Sequence, residues 1–307
     1  MTGEVRWGVV APTFDPFGSG EPPPVVAAAK RLEALDFDVV WVGDHLVCPA
    51  PVLDSLCSLA AVAAVTTRVQ VGLSVLQLGL RHLVWTAKQL ATIDALAPGR
   101  LRLGVGVGGE FEEEFMAAGV ARETRGSRLD EMLLLLPALL RGQPVEHDGP
   151  HVKVHSPALL PAPATVPPLS VGGRSDAALA RAARFADQWI GMWHGPDTVR
   201  AQRDRLAQLA AGHGRPAPSV AMVVLANVND DIELARQEVA AALDGQYRLP
   251  FRAVERWTAY GPAEQVAKML AEYCDAGVSE LLLLPEAPDP LSQYERLAAV
   301  RELVGRA

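Results

Sequence analysis

The sequence predicts a closed (β/α)8 TIM barrel of class α/β, and three observations predict it. Short β-branched runs alternate with helical stretches from one end of the chain to the other, eight times over. Several of these runs, such as VVWV at 39–42 and LLLL at 281–284, are apolar on both faces, as parallel strands wrapped by helices must be. The chain has 307 residues, half of them hydrophobic, which suits one barrel of about 250 residues with insertions. Eight βα units in one chain favour a barrel over an open doubly wound sheet. No linker divides the chain, so 1–307 reads as one domain.

The elements follow in order. A strand over 5–11 precedes a helix over 25–35 with Ala27, Ala28, Leu32 and Leu35 on one side. DVVWVG at 38–43 is the second strand, followed by an Ala/Leu-rich helix at 53–65. The third strand, 69–75, leads to a helix over 82–96 that Pro98-Gly99 closes. The fourth strand, 101–107, is followed by a helix over 127–140, with Asp130 and Glu131 near its N-terminus where the helix dipole favours acids.

The second half repeats the pattern less evenly. A strand at 168–171 runs into Gly172-Gly173 and a helix at 175–185, then a strand at 187–192 and a helix at 197–211. A strand at 220–226 precedes helices at 232–243 and 262–276, and the last pair is 280–284 and 290–304. Two insertions interrupt the rhythm. After the fourth strand and its helix, 142–167 is proline-dense without helical period and reads as an ordered excursion. After the seventh strand, 227–260 is longer than one connection needs, and 245–257 mixes aromatics with Arg248, Arg252 and Arg256, as a lid would.

Composition narrows the function classes. Lys plus Arg number 28 against 36 Asp plus Glu, giving a net charge of −8. Without a basic cluster, nucleic acid and anionic membrane are poor partners, and a small-molecule substrate is the better expectation. The start Met1-Thr2-Gly3-Glu4 carries an acid and runs straight into a strand, so no signal peptide is expected. No apolar run approaches the roughly 18–20 residues that span a bilayer. Cys48, Cys57 and Cys274 are odd in number, far apart and without metal-ligand spacing, which suits free thiols in a reducing cytoplasm.

In such a barrel the working face is the C-terminal end of the strands. The second strand ends in Gly43-Asp44-His45, and an imidazole there can give or take a proton near neutral pH, or merely hydrogen-bond backbone. The fourth ends in Gly104-Val105-Gly106-Val107-Gly108-Gly109-Glu110, glycines that mark close approach of a ligand or of backbone. Of the acidic run that follows, Glu112, Glu113 and Glu114 read as a solvated face, and Glu110 as the acid able to reach a cavity. The fifth ends in Val171-Gly172-Gly173-Arg174-Ser175 before a helix, either an anion site or an ordinary tight turn. Met192-Trp193-His194 follows the sixth, where the aromatic can pack on a flat cofactor or on its neighbours. His82, His147, His151, His155 and His213 lack ligand spacing and G-x-S-x-G is absent, so no metal is expected and covalent hydrolysis ranks low.

These stretches in this order resemble the luciferase-like monooxygenase superfamily, and within it the actinobacterial coenzyme F420-dependent branch. The carriers are VVWVGDHL at 39–46, RVQVGLSVLQLGLRH at 68–82, AKQLATIDALAPGRLRLGVGVG at 87–108, RGSRLDEML at 125–133, LSVGGRSDAALARAARFADQWI at 169–190 and DAGVSELLLL at 275–284. The resemblance implies that His45 lines the reactive face of a deazaflavin as proton donor or acceptor, with Glu110 as a second acid. It implies a non-prolyl cis peptide at Ser74-Val75 behind the ring, and approach of the cofactor to Gly106, Val107 and Gly108. It further implies a phosphate site at Gly172-Gly173, and it places Asp44, Arg174, Met192 and Trp193 around the cofactor. Relatives often carry proline at the positions of Gly79 and Leu83 and glycine at that of Gln188, departures expected near the pocket mouth. The cofactor implied is F420, with FMN as the alternative, since FMN relatives share the barrel. A homodimer through barrel helices is also implied.

Overall fold

In the computed structural model, which describes residues 5–305, the eight expected strands close into a parallel ring. In chain order the strands are β1 (Arg6–Val10), β2 (Val39–Val42), β3 (Gln70–Leu76), β4 (Leu101–Val105), β5 (Val145–Asp148), β6 (Lys153–Ser156), β7 (Leu169–Gly172), β8 (Gln188–Met192), β9 (Ser219–Val228), β10 (Ala259–Gly261) and β11 (Glu280–Pro285). The ring runs β1-β2-β3-β4-β7-β8-β9-β11 and back to β1, every pair parallel. Outside it lie α1 (Val25–Ala34), α2 (Ser55–Val65), α3 (Leu83–Leu96), α5 (Arg125–Leu140), α6 (Asp176–Phe185), α7 (Pro196–Gly212), α8 (Ile232–Tyr247), α9 (Ala263–Asp275) and α10 (Pro290–Val304), with the short α4 (Glu112–Ala118) after β4.

Strand β2 shows why its sequence is apolar throughout. Val40 and Val42 pack into the shell between sheet and helices, while Val39 and Trp41 point into the barrel, so both alternating faces are buried. The Trp41 ring spans the barrel because Gly8 and Gly72 leave it room: a Cβ on either would lie 2.5 Å from that ring. Beneath it the N-terminal end of the barrel is plugged by a buried polar layer. Glu280 accepts from the Trp41 indole at 3.2 Å and from the Gln188 amide at 3.1 Å, and pairs with Arg102 at 3.2 Å. Gln188 therefore lies at the end opposite the pocket mouth, contrary to its expected position, because it begins β8 rather than ending it.

The insertions hold order that the reading left undivided. Residues 145–156 form an antiparallel hairpin, Val145 facing Ser156 and Asp148 facing Lys153. Its signal was local: Gly149-Pro150, a turn pair, stands between two short alternating stretches. The second insertion contains α8, two single 3₁₀ turns and β10, which extends the end of β9 beyond the ring. Met1–Glu4, on which the expectation about a signal peptide rests, lie outside the described residues. No helix among the described residues is long and apolar enough to cross a membrane.

Candidate functional site

At the C-terminal end of the ring a cavity of about 190 Å³ is lined by His45, Ser74, Val75, Gly106, Gly172 and Trp193 among others. Asp44, Val107, Gly108, Glu110, Gly173, Arg174 and Met192 also border it. The residues expected to be catalytic or to surround a cofactor thus converge on one mouth, whereas Gly79, Leu83 and Gln188 do not line it.

The floor is Val75. The Ser74-Val75 peptide is cis, and the β3–β4 register shifts between Leu73 and Leu76, so β3 bulges inward there. A Cβ at Gly106 would lie 2.6 Å from Val75, and one at Gly172 would lie 2.8 Å from it. These two glycines make room first of all for Val75, and the cavity meets the valine that they admit. Gly108, with φ +64°, serves Gln77 in the same way, since a Cβ would fall 2.0 Å from its amide oxygen.

His45 is held from behind. Its Nδ1 lies 3.1 Å from Oε1 of Glu114, a carboxylate that also accepts from the Leu46 amide at 2.8 Å and from the Gln77 side-chain amide at 3.0 and 3.1 Å. Burial pushes the Glu114 carboxyl up, but the His45 partner and these donors outweigh it and hold it below the usual carboxylate range. The Gln77 side-chain nitrogen also lies 3.1 Å from Nδ1; with Nδ1 protonated and donating to Glu114, Nε2, which has no hydrogen-bond partner among the described residues, is the ring nitrogen left for the cavity. Phe14, Phe111 and Tyr247 pack edge-on around the imidazole at centroid distances of 5.7, 5.3 and 6.0 Å.

Glu114 is the residue that the sequence reading missed. It lies on α4 and is fully buried, whereas Glu110 borders the cavity as an exposed side chain. The signal was helical period: Glu114 follows Phe111 by three and precedes buried Phe115, placing it on the inner face of the turn. Asp44 borders the cavity, but its carboxylate is already engaged. Its carboxylate is taken by the Ser55 hydroxyl at 2.7 Å, the Gln77 amide at 2.8 Å and Arg81 at 2.7 Å, so it braces the loop rather than offering itself to a ligand.

The turn before α6 is held by hydrogen bonds that already engage one of the two amides expected to meet a phosphate. The Gly173 N–H already donates to the Ile190 carbonyl at 3.2 Å, and the Gly173 carbonyl accepts from the Trp189 indole at 2.9 Å. Gly173 has φ +137°, and a Cβ there would lie 2.6 Å from that of Ala178. The first N–H groups of α6 remain without carbonyl acceptors, as they are at any helix start. Ser175 caps the helix by accepting from Ala178 N at 3.2 Å. Arg174 adds a positive charge, its guanidinium 4.7 Å above the Trp193 ring. The Trp193 indole nitrogen is buried without a partner among the described residues. An apolar floor, an aromatic wall with an unfilled donor and a cationic helix start fit a flat cofactor that carries phosphate.

Comparison with known proteins agrees with this geometry. The chain is 33% identical over 198 residues to an F420-dependent glucose-6-phosphate dehydrogenase of Nakamurella multipartita, a match covering 61% of this chain and 56% of that one. The chain spans little more than half the length of the curated relatives that it matches above 30% identity. Among solved structures, an F420-dependent secondary alcohol dehydrogenase in complex with an F420-acetone adduct superposes with TM-score 0.83 at 19% identity, covering 98% of this chain and 99% of that one. The monooxygenase RslO1 from Streptomyces bottropensis gives 0.83 at 20% identity with the same coverage. Both confirm the barrel. The family model for luciferase-like monooxygenases matches residues 5–280, and the chain belongs to that family of oxidoreductases.

Proposed function

We propose that this protein is an F420-dependent oxidoreductase that moves a hydride between the deazaflavin and a small organic substrate. The observation that carries the reading is that two curated relatives above 30% identity are named F420-dependent glucose-6-phosphate dehydrogenases. The bound cofactor would supply a ring carbon that gives or takes a hydride and scarcely reacts with oxygen. Val75 would back its ring and the α6 N-terminus and Arg174 would hold its phosphate, with Trp193 lining the wall. His45, its Nδ1–H fixed on ionised Glu114, presents Nε2 as the group that takes a proton from the substrate or returns one. Phe14, Phe111 and Tyr247 keep water from that nitrogen. Glu110, at the rim, is a second acid within reach of the mouth. The chain acts as a homodimer, with the face of α3 that exposes Trp85 as the contact.

A second reading, a monooxygenase using reduced FMN and oxygen, draws on the equal fold match to RslO1. Titrating the purified protein with F420 and with FMN, then following oxygen uptake, separates the two. Tight F420 binding without oxygen uptake supports the first reading; FMN binding with oxygen consumption overturns it.

A further inference from the structure

A second chamber of about 200 Å³ adjoins the cavity, with Val10, Phe14, Gln246 and Leu284 as common wall. It lies between the loop after β1 and the end of β11, on the face where barrel enzymes work. Its walls are mostly apolar, with Pro12, Phe17, Pro24, Pro285 and Ala287 among them. Helix α8 closes it tightly: a Cβ on Gly245 would lie 1.9 Å from the Pro16 carbonyl oxygen, so only glycine lets the helix press against that loop.

Two side chains in this chamber, Thr13 and Glu286, have a buried polar atom without a hydrogen-bond partner among the described residues, and of these only Glu286 is a carboxyl. Glu286 stands just past the end of β11, 3% exposed, and its Oε1 is buried without a hydrogen-bond partner among the described residues. Its backbone is fixed on both sides, the N–H donating to the Ala226 carbonyl at 2.9 Å and the carbonyl accepting from the Asn227 amide at 2.8 Å. Burial alone pushes its carboxyl up to about 8, so it is neutral at pH 7 and has a proton to donate. The other acids are differently placed: Asp15 accepts from the Ser19 and Gly20 amides, and Glu21 is exposed.

The charge pattern is equally informative. Among the residues lining the chamber there is no lysine, arginine or histidine, and the first cavity has only His45 and Arg174. A phosphorylated substrate seated here would bring an anion against acids with no cation to meet it, which burial makes costly.

We propose that this chamber seats the substrate and that Glu286 donates a hydrogen bond to its oxygen, so the protein takes a small, uncharged, mostly apolar alcohol or ketone rather than a sugar phosphate. The proposal rests on the oxidoreductase reading and narrows its substrate class. It also separates this chain in substrate from the relatives named as glucose-6-phosphate dehydrogenases.

The test is calorimetric titration of cyclohexanol, cyclohexanone and glucose 6-phosphate into the parent, Glu286→Ala and Glu286→Gln proteins, each with and without F420. F420 affinity is measured separately by its fluorescence, and folding of each variant by thermal melting. Saturable binding of the neutral probes is expected in the parent, about tenfold weaker in Glu286→Ala and within about threefold of the parent in Glu286→Gln, whose amide also donates. Glucose 6-phosphate should not saturate. The proposal is overturned if glucose 6-phosphate binds at lower concentration than cyclohexanone, if Glu286→Ala binds the neutral probes like the parent, or if neither neutral probe saturates. Failure of F420 to bind the parent counts against the cofactor reading alone, because titration of the cofactor-free protein still decides the chamber.

Discussion

His45 and Glu114 stand 69 positions apart in the chain, yet Nδ1 of the one lies 3.1 Å from Oε1 of the other inside a fully packed wall. The pair orients the imidazole, and two of the variants below, at His45 and at Glu114, test it.

Replacing His45 with alanine removes the proton partner without touching the phosphate turn. Turnover in the proposed reaction should fall by about 10²–10⁴-fold, while the F420 dissociation constant stays within about threefold of the parent. Turnover near the parental rate would reduce His45 to a packing residue, and lost cofactor affinity would make it a positioning group.

Glu114→Gln keeps the shape of the partner but removes its charge. Turnover should drop roughly tenfold or more, with cofactor affinity retained. The same variant has a stability signature. The Glu114 carboxyl is held below its ordinary value, so its contribution is complete above the unfolded value of 4.5 and is lost as pH falls through the lower folded value. Thermal melts from pH 6 downward should therefore fall more steeply for the parent than for Glu114→Gln.

Glu286 predicts the opposite sign. Its carboxyl, near 4.5 when unfolded and about 8 when folded, binds its proton more tightly in the native state. Its burial therefore costs least below 4.5, where folded and unfolded states are both protonated, and costs increasingly more as pH rises from there to about 8. Glu286→Gln should flatten that decline, leaving the variant more stable than the parent at pH 8 by on the order of 1–3 kcal/mol. Urea unfolding at pH 5 and pH 8 checks it, and equal slopes in the two proteins would show that the carboxyl is ionised in the fold.

Gly173→Leu tests the cofactor turn. The φ of +137° excludes a side chain, and the new Cβ would meet Ala178 at 2.6 Å, forcing the start of α6 outward. F420 affinity should weaken by at least roughly tenfold. Unchanged affinity would mean that the phosphate lies elsewhere.

The proposed dimer is tested at Trp85. This residue is 69% exposed on α3, near Lys88, which reaches the carbonyl of the 67% exposed Leu160. Light scattering should give about twice the chain mass of 32.7 kDa for the parent, with Trp85→Glu weakening association by roughly tenfold or more. A monomeric parent ends that reading.

The alternation of apolar strands and helices was legible along the chain because each element obeys a local period, and so was the convergence of strand ends on one mouth. Val39 and Trp41 against Val40 and Val42 show it, four consecutive apolar residues that only a doubly covered strand requires. The bulge at Ser74-Val75 was read by resemblance, whereas the turn at Gly172-Gly173 was legible from two glycines before a helix and only its assignment to phosphate came from the resemblance. What glycine does at Gly106 and Gly172 was not legible, since the side chain it accommodates, Val75, comes from another strand.

By itself the sequence determined the barrel, its working face and the position of His45, because period and chain order are local properties. Only the tertiary structure decided that Glu114 rather than Glu110 grips the imidazole, that the Gly173 amide is already engaged, and that Gln188 plugs the far end. It also left Glu286 buried without a partner. Each of these depends on which remote groups share a buried space, and the desolvation and hydrogen bonding that set a carboxyl's charge exist only once that space is closed.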